Sequence, residues 1–190
     1  MNTNTRKLTE SALMVALATV LCLIPPIYTM PRGGSVTWFS CVPIILIAYR
    51  HGVKWGLASG LTFGLIQLLA GGLVYLQGID LTGTVFSIIA DFLITFTILG
   101  LSGLFRKAIK NQPIALGVGT SIAFALRFIN HFLVGMVVYA PLFNEEAISN
   151  AMFSFLYNIT YLAPELLVTL IGATAVILTV DLTGPKLTRR

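Results

Sequence analysis

The sequence predicts an all-α integral membrane protein, a bundle of six transmembrane helices, and three observations predict it. First, 56% of the 190 residues are hydrophobic and only 10% are charged, where a soluble domain carries about 25% charged residues. Second, the mean hydropathy is +0.90, more apolar surface than a globule of this length can bury. Third, the apolar runs do not alternate in period two. Lipid offers no hydrogen bonds, so every backbone polar group must be paired within the chain, which leaves helices or a closed barrel. The missing alternation argues against the barrel.

The elements follow in order. Helix 1 is predicted over about 8–24, closed by Pro25 and Pro26. Arg6 and Lys7 ahead of this run resemble the start of a signal peptide, but no small-residue cleavage site follows, so a retained helix is expected. A loop from Tyr28 to Val36 contains Pro31, Gly33 and Gly34. Helix 2, about 37–49, is short for a span. Helix 3, about 53–70, stops at Gly71 and Gly72. Helix 4 covers about 82–104, helix 5 about 113–139 with an end near Pro141, and helix 6 about 148–180 with a tilt or kink at Pro164. No linker or internal repeat divides the chain, so residues 1–190 are read as one domain.

Charge sets the orientation. If the chain alternates, Arg6, Lys7, Arg50, Lys54, Arg106, Lys107, Lys110, Lys186, Arg189 and Arg190 all fall on one side. The other side holds Arg32 with Asp80, Glu145 and Glu146. Basic residues concentrate on cytoplasmic loops, so both termini are expected in the cytoplasm. The net charge of +5 is thereby a matter of topology and not of nucleic-acid binding. Cys22 and Cys41 lie in apolar segments and read as small buried hydrophobes, without metal-ligand spacing or a disulfide framework. No metal or cofactor is expected.

Charged groups at membrane depth cost roughly 2.5–3.5 kcal/mol each on insertion scales, so they mark function or deliberate pairing. Three are expected there: Asp91 in helix 4, Arg127 in helix 5 and Glu165 in helix 6. Helical spacing puts Arg127, Asn130 and His131 on one face, and Asn158, Tyr161 and Glu165 on another. Arg127 and Glu165 lie near the middle of their helices and can meet as a structural ion pair, with Asp91 the alternative partner for Arg127. Asp91, His131 and Asn158 lie nearer the outer side. Asp91 is then either free in an outer cleft, suited to a cationic ligand, or hydrogen-bonded to His131. Trp38, Phe63, Tyr75, Tyr139, Phe153 and Tyr157 cluster near the outer helix ends, as an interfacial belt or as part of a cage around a cation. Gly56, Gly60 and Gly64 form a small-residue stripe on helix 3, and Ala12 and Ala16 a shorter one on helix 1. Such stripes serve internal packing or the docking of another membrane subunit.

Other functions are disfavoured. No phosphate-binding glycine loop followed by lysine is present, so the chain cannot drive itself with ATP. Ser59 between Gly56 and Gly60 imitates a nucleophile loop, but the topology puts Ser59 inward and His131 outward, too far apart for the roughly 3 Å contact that Ser–His chemistry needs. An enzyme is not expected.

Three segments in order carry a family resemblance. They are GGSVTWFSCVPIILIAYRHG over 33–52, running on to KWGL over 54–57 and GLIQLL over 64–69; RFINHF over 127–132 with Gly135; and YN over 157–158 followed by YLAPE over 161–165. The chain resembles the thiamine-specific substrate-binding subunits (S-components) of energy-coupling factor transporters. The resemblance implies a six-helix bundle in the bacterial cell membrane that captures thiamine from outside. It also implies a transmembrane coupling subunit and two cytoplasmic ATPase subunits as partners. By the same resemblance, Ala12 and Ala16 dock the coupling subunit, and thiamine contacts come from Asp91, His131, Asn158 and the rings of Tyr75, Tyr139 and Phe153, with Trp38 and Phe63 as further candidates. Loops around Gly33–Gly34 and Gly71–Gly72 are expected to lid the pocket. The sequence departs from some relatives: Asp91 stands in place of Glu, Gly34 in place of Trp, and Phe153 in place of Tyr. The alternatives are an S-component for another vitamin or precursor, such as a hydroxymethylpyrimidine-like compound, and a stand-alone secondary transporter.

Overall fold

Six helices account for most of the computed structural model, which describes residues 3–144, 148–184 and 188–189. Glu145, Glu146, Lys186 and Arg190, assigned to sides of the membrane by the charge pattern, lie outside the described residues. Helix α1 is Thr3–Leu23 and α2 is Val42–His51. Helix α3 is Val53–Ala70, α4 is Leu81–Gly103, α5 is Gln112–Phe143 and α6 is Asn150–Thr179. Short strands β1 (Tyr28–Thr29) and β2 (Ser35–Val36) pair antiparallel between α1 and α2. A second small ribbon, β3 (Val180–Asp181) with β4 (Thr188–Arg189), follows α6.

Four helices, α3 to α6, are long and apolar enough to cross a membrane. Their outward faces carry large hydrophobic side chains such as Leu69, Leu133, Leu167 and Ile171, all exposed, as lipid contact requires. Helix α2 is different. It begins at Val42, five residues later than the sequence predicts, because Ser35 and Val36 are drawn into the ribbon and Phe39 takes a left-handed turn at φ 60°. Every residue from Val42 to Tyr49 is buried. A helix apolar all round belongs in the middle of a bundle, and α2 is the axle on which α1, α3, α4 and α6 pack.

The glycine stripe of α3 is internal. A Cβ on Gly56 would strike Ala48, and one on Gly60 or Gly64 would strike the carbonyls of Phe96 or Phe92 on α4. Close backbone approach, not subunit docking, is its role. The stripe on α1 faces outward, with Ala12 and Ala16 exposed. Gly52, at φ 94°, makes the tight turn from α2 to α3 in a conformation other residues rarely adopt.

The two ends of the bundle differ in chemistry. At one end, Arg50 Nε donates to Glu10 Oε2 at 2.6 Å and His51 Nε2 contacts the same oxygen at 2.7 Å. Arg50 Nη1 also reaches the Leu182 and Gly184 carbonyls. Arg106 Nη1 caps α2 by donating to the Arg50 and Tyr49 carbonyls. At the other end Arg32, in a turn at φ 69°, lays its guanidinium 3.4 Å from the centre of the Phe143 ring. Arg50, Arg106 and Arg6 thus share an end opposite Arg32, as the charge pattern requires.

Candidate functional site

A cavity of about 450 Å³ opens at the end away from the Glu10–Arg50 cluster. Its walls are the ends of α1 and α3, the 29–41 loop, the first half of α4, the second half of α5 and the first half of α6. Two irregularities shape it. Residues Ile88–Ile94 of α4 and Gly135–Tyr139 of α5 are wound as π-helix. An inserted π turn re-aims side chains and leaves carbonyls without helical partners, and it is frequent at functional sites. Here the first π turn carries Asp91 and the second carries Tyr139. Asn130 Nδ2 stabilises the first, donating to Ala90 O at 2.7 Å and Thr95 Oγ1 at 2.6 Å.

Asp91 Oδ1 lies 2.9 Å from His131 Nδ1, both side chains lining the cavity and mostly buried. Of the two expectations for Asp91, the hydrogen-bonded one holds. The pair still borders open space, so Asp91 keeps lone pairs for a ligand. Asn158 lines the same cavity. Its amide donates to Ser154 O at 2.8 Å and Ser154 Oγ at 3.2 Å, and its Oδ1 accepts from Tyr161 at 2.9 Å. Gly135 makes this approach possible, because a Cβ there would collide with Ser154 Oγ. A ring wall completes the level. Phe153 stacks on Tyr157 at 6.4 Å, Tyr157 meets Tyr161 edge-on at 5.8 Å, and Tyr161 meets His131 at 6.1 Å.

The 29–41 loop is held over this level. The Tyr157 hydroxyl accepts from Gly34 N at 3.1 Å and donates to the Pro31 carbonyl. Gly33, at φ 99°, lies against the Tyr75 ring where a Cβ would not fit. Gly71 and Gly72 also line the cavity.

Deeper in the cavity, Glu165 Oε2 accepts from Thr37 N at 2.6 Å and Oε1 from Thr37 Oγ1 at 2.7 Å. Arg127 does not pair with it directly. Among the described residues no ion pair joins the two. The Cys41 sulfur stands between them, 3.5 Å from Arg127 Nη1 and 3.5 Å from Glu165 Oε1. The predicted structural ion pair is therefore corrected to a bridged arrangement, because Thr37 reaches the carboxylate first. Cys41 is correspondingly a polar bridge and not just a packing residue. Cys22, also on the cavity wall, donates to Gln67 Oε1 at 3.2 Å.

The structure brings together Asp91, His131, Asn158, Tyr75, Tyr139 and Phe153, along with Arg127 and Glu165. It does not bring in Trp38 or Phe63. Phe63 is fully buried and packs edge-on against Phe96 at 5.1 Å, so Phe96 and not Phe63 faces the cavity. Trp38 is 46% exposed and does not line the cavity, whereas its neighbour Thr37 does. The cavity-lining residues that sequence reasoning leaves out are Phe92, Phe96 and Gln67, and Tyr161, which it sets on a face with Asn158 and Glu165 without a binding role, lines the cavity as well. Tyr161 carried a signal, one helical turn from Asn158. The other three line the cavity only because α3 and α4 touch. No group of three metal-ligating side chains occurs among the described residues.

Three comparisons bear on this arrangement. Residues 8–184 match the family model described as Thiamine transporter protein. The chain is 29% identical over 191 residues to the Bacillus subtilis (strain 168) thiamine transporter ThiT, covering 95% of this chain and 93% of that one. A solved structure of ThiT from Listeria monocytogenes superposes with a TM-score of 0.69 at 22% identity, covering 93% of each chain, which supports the fold.

Proposed function

The chain belongs to the Thiamine transporter protein family, a family of non-enzymatic multi-pass membrane proteins, and on that premise we propose that it captures thiamine as the substrate-binding subunit of an energy-coupling factor importer. The observation that carries the reading is the Asp91–His131 pair on one cavity wall, 2.9 Å apart and surrounded by rings. The thiazolium ring of thiamine bears a fixed positive charge. Asp91 offsets it, and Tyr139, Phe153 and Tyr157 offer π faces that attract a cation by roughly 0.5–2 kcal/mol each. His131 fixes the carboxylate's direction. Asn158 holds the neighbouring helix wall and borders the ligand.

In this reading residues 1–190 form one domain that crosses the membrane six times, α1 and α2 adding to the four long helices. Both termini face the cytoplasm, where the Glu10–Arg50–Arg106 end lies, and the cavity opens outward. The chain has no ATP-binding motif, so transport is energised by a transmembrane coupling subunit and two cytoplasmic ATPase subunits. Ala12 and Ala16, exposed on α1 among Leu8, Leu13 and Leu17, offer a flat apolar face for the coupling subunit.

Calorimetric titration of the purified protein with thiamine tests the binding role; saturable binding at micromolar ligand or below is expected, and its absence would overturn it. Ala12→Arg tests the docking face. It should leave thiamine binding unchanged and prevent co-purification with the coupling module, and an intact complex would place the face elsewhere.

A further inference from the structure

A second space lies on the outer surface of the bundle, at the same end as the cavity but sharing no lining residue with it. It is a groove of about 460 Å³ between the start of α4 and the far end of α5. Gly83 and Val138, both buried, form its floor. A Cβ on Gly83 would stand 3.2 Å from Val138 Cγ1, so the glycine lets the two helices close beneath the groove. Phe86, Val137 and Leu142 form its sides, and all three are exposed. Water occupies about 30 Å³ per molecule and needs polar partners to be held. The groove is many times larger than that, and its sides offer no such partners. In a chain that crosses a membrane, this surface faces lipid.

One charge breaks the apolar lining. Asp80 also lines the groove and caps α4, its Oδ1 accepting from Gly83 N at 3.2 Å. A carboxylate has about four acceptor sites, and the cap uses one. Among the described residues Oδ2 has no hydrogen-bond partner and no cation pairs with Asp80. Its height follows from the helix. The 23 residues of α4 rise about 34 Å, slightly more than the roughly 30 Å hydrocarbon core. Asp80, just before the first of them, therefore sits at the level of the lipid head groups. We infer that this groove is a binding site for a phospholipid with a primary ammonium head group, in the leaflet on the cavity side. One acyl chain lies along Phe86, Val137 and Leu142, and the ammonium donates to Asp80 Oδ2. A quaternary ammonium head carries the same charge but has no N–H to donate, and an anionic head is repelled by the carboxylate.

The test is native mass spectrometry of the full-length protein, titrated with phosphatidylethanolamine and phosphatidylcholine of matched chains. The wild type should bind its first phosphatidylethanolamine about 3- to 10-fold more tightly than its first phosphatidylcholine. Asp80→Asn should abolish that preference. Asparagine caps a helix as well as aspartate does, so the variant loses the charge and keeps the fold. Asp80→Ser, which also caps without charge, serves in its place should D80N not fold. Val137→Trp, which fills the groove from its exposed side, should weaken binding of both lipids at least about threefold. Equal binding of the two lipids by the wild type overturns the inference, and so does a preference that survives in D80N. Unchanged binding of both lipids by V137W overturns it as well. Dimers in the same spectra that V137W abolishes would assign the groove to a second copy of the chain and overturn it too.

Discussion

The two ends of the bundle handle charge in opposite ways. At the basic end, Glu10 is shared between Arg50 and His51, while the donors left over on Arg50 and on Arg106 go to backbone carbonyls. Glu10, Arg50, His51 and Arg106 each have a partner within the protein. At the cavity end the partnerships stop short. Asp91 has His131 on one side and open cavity on the other, and Arg127 carries an Nε with no acceptor among the described residues. Charge that is matched internally holds helices together; charge that is matched only in part is available to something that enters.

The largest effect that separates the two ends comes from Asp91→Asn. Removing the carboxylate's charge should weaken thiamine binding about 10- to 150-fold, the range for a charge-assisted contact, with the melting temperature little changed. Unaltered affinity in a titration would place the cation elsewhere in the cavity. Next is Glu10→Gln at the other end, where the signs reverse. Stability should fall by about 1–3 kcal/mol through the stranded Arg50, seen as a lower melting temperature in detergent, while thiamine affinity stays within about twofold. A binding defect there would dissolve the distinction between the ends.

A smaller effect is expected from Tyr157→Phe, which removes the hydroxyl that holds Pro31 and Gly34 but keeps the ring. Losing such a bond is worth about 0.5–1.5 kcal/mol. Thiamine should dissociate several-fold faster in a stopped-flow chase, and an unchanged rate would mean that the loop is held by its other contacts. The smallest is Trp38→Ala. Trp38 stands outside the cavity wall, so affinity should move by less than about twofold; a tenfold loss would show that the loop turns its ring inward on binding.

Much of the site was legible in the sequence because polar residues are so scarce in it. Asp91, Arg127, His131, Asn158 and Glu165 are conspicuous in apolar helices, and helical spacing puts the right ones on common faces. The errors have one origin. Height along the chain puts Phe63 and Trp38 at the level of the cavity but says nothing of azimuth, and side-chain direction decides which of Phe63 and Phe96 meets the cavity. Height alone also pairs Arg127 with Glu165. That Thr37 would reach Glu165 first depends on a loop 128 residues away, and no local pattern reports it.

The sequence by itself determined the membrane class, the placement of most helices to within a few residues, and the segregation of basic charge to one end. These rest on local hydrophobicity and on solvation costs that each segment meets alone. Only the tertiary structure decided that α2 starts late and is buried on every side, that two π turns aim Asp91 and Tyr139 at one space, and that Cys41 separates an expected ion pair. Each of these results from competition between distant groups for the same partner or the same volume. The physical reason is that a buried group's free energy is set by what its neighbours leave unsatisfied.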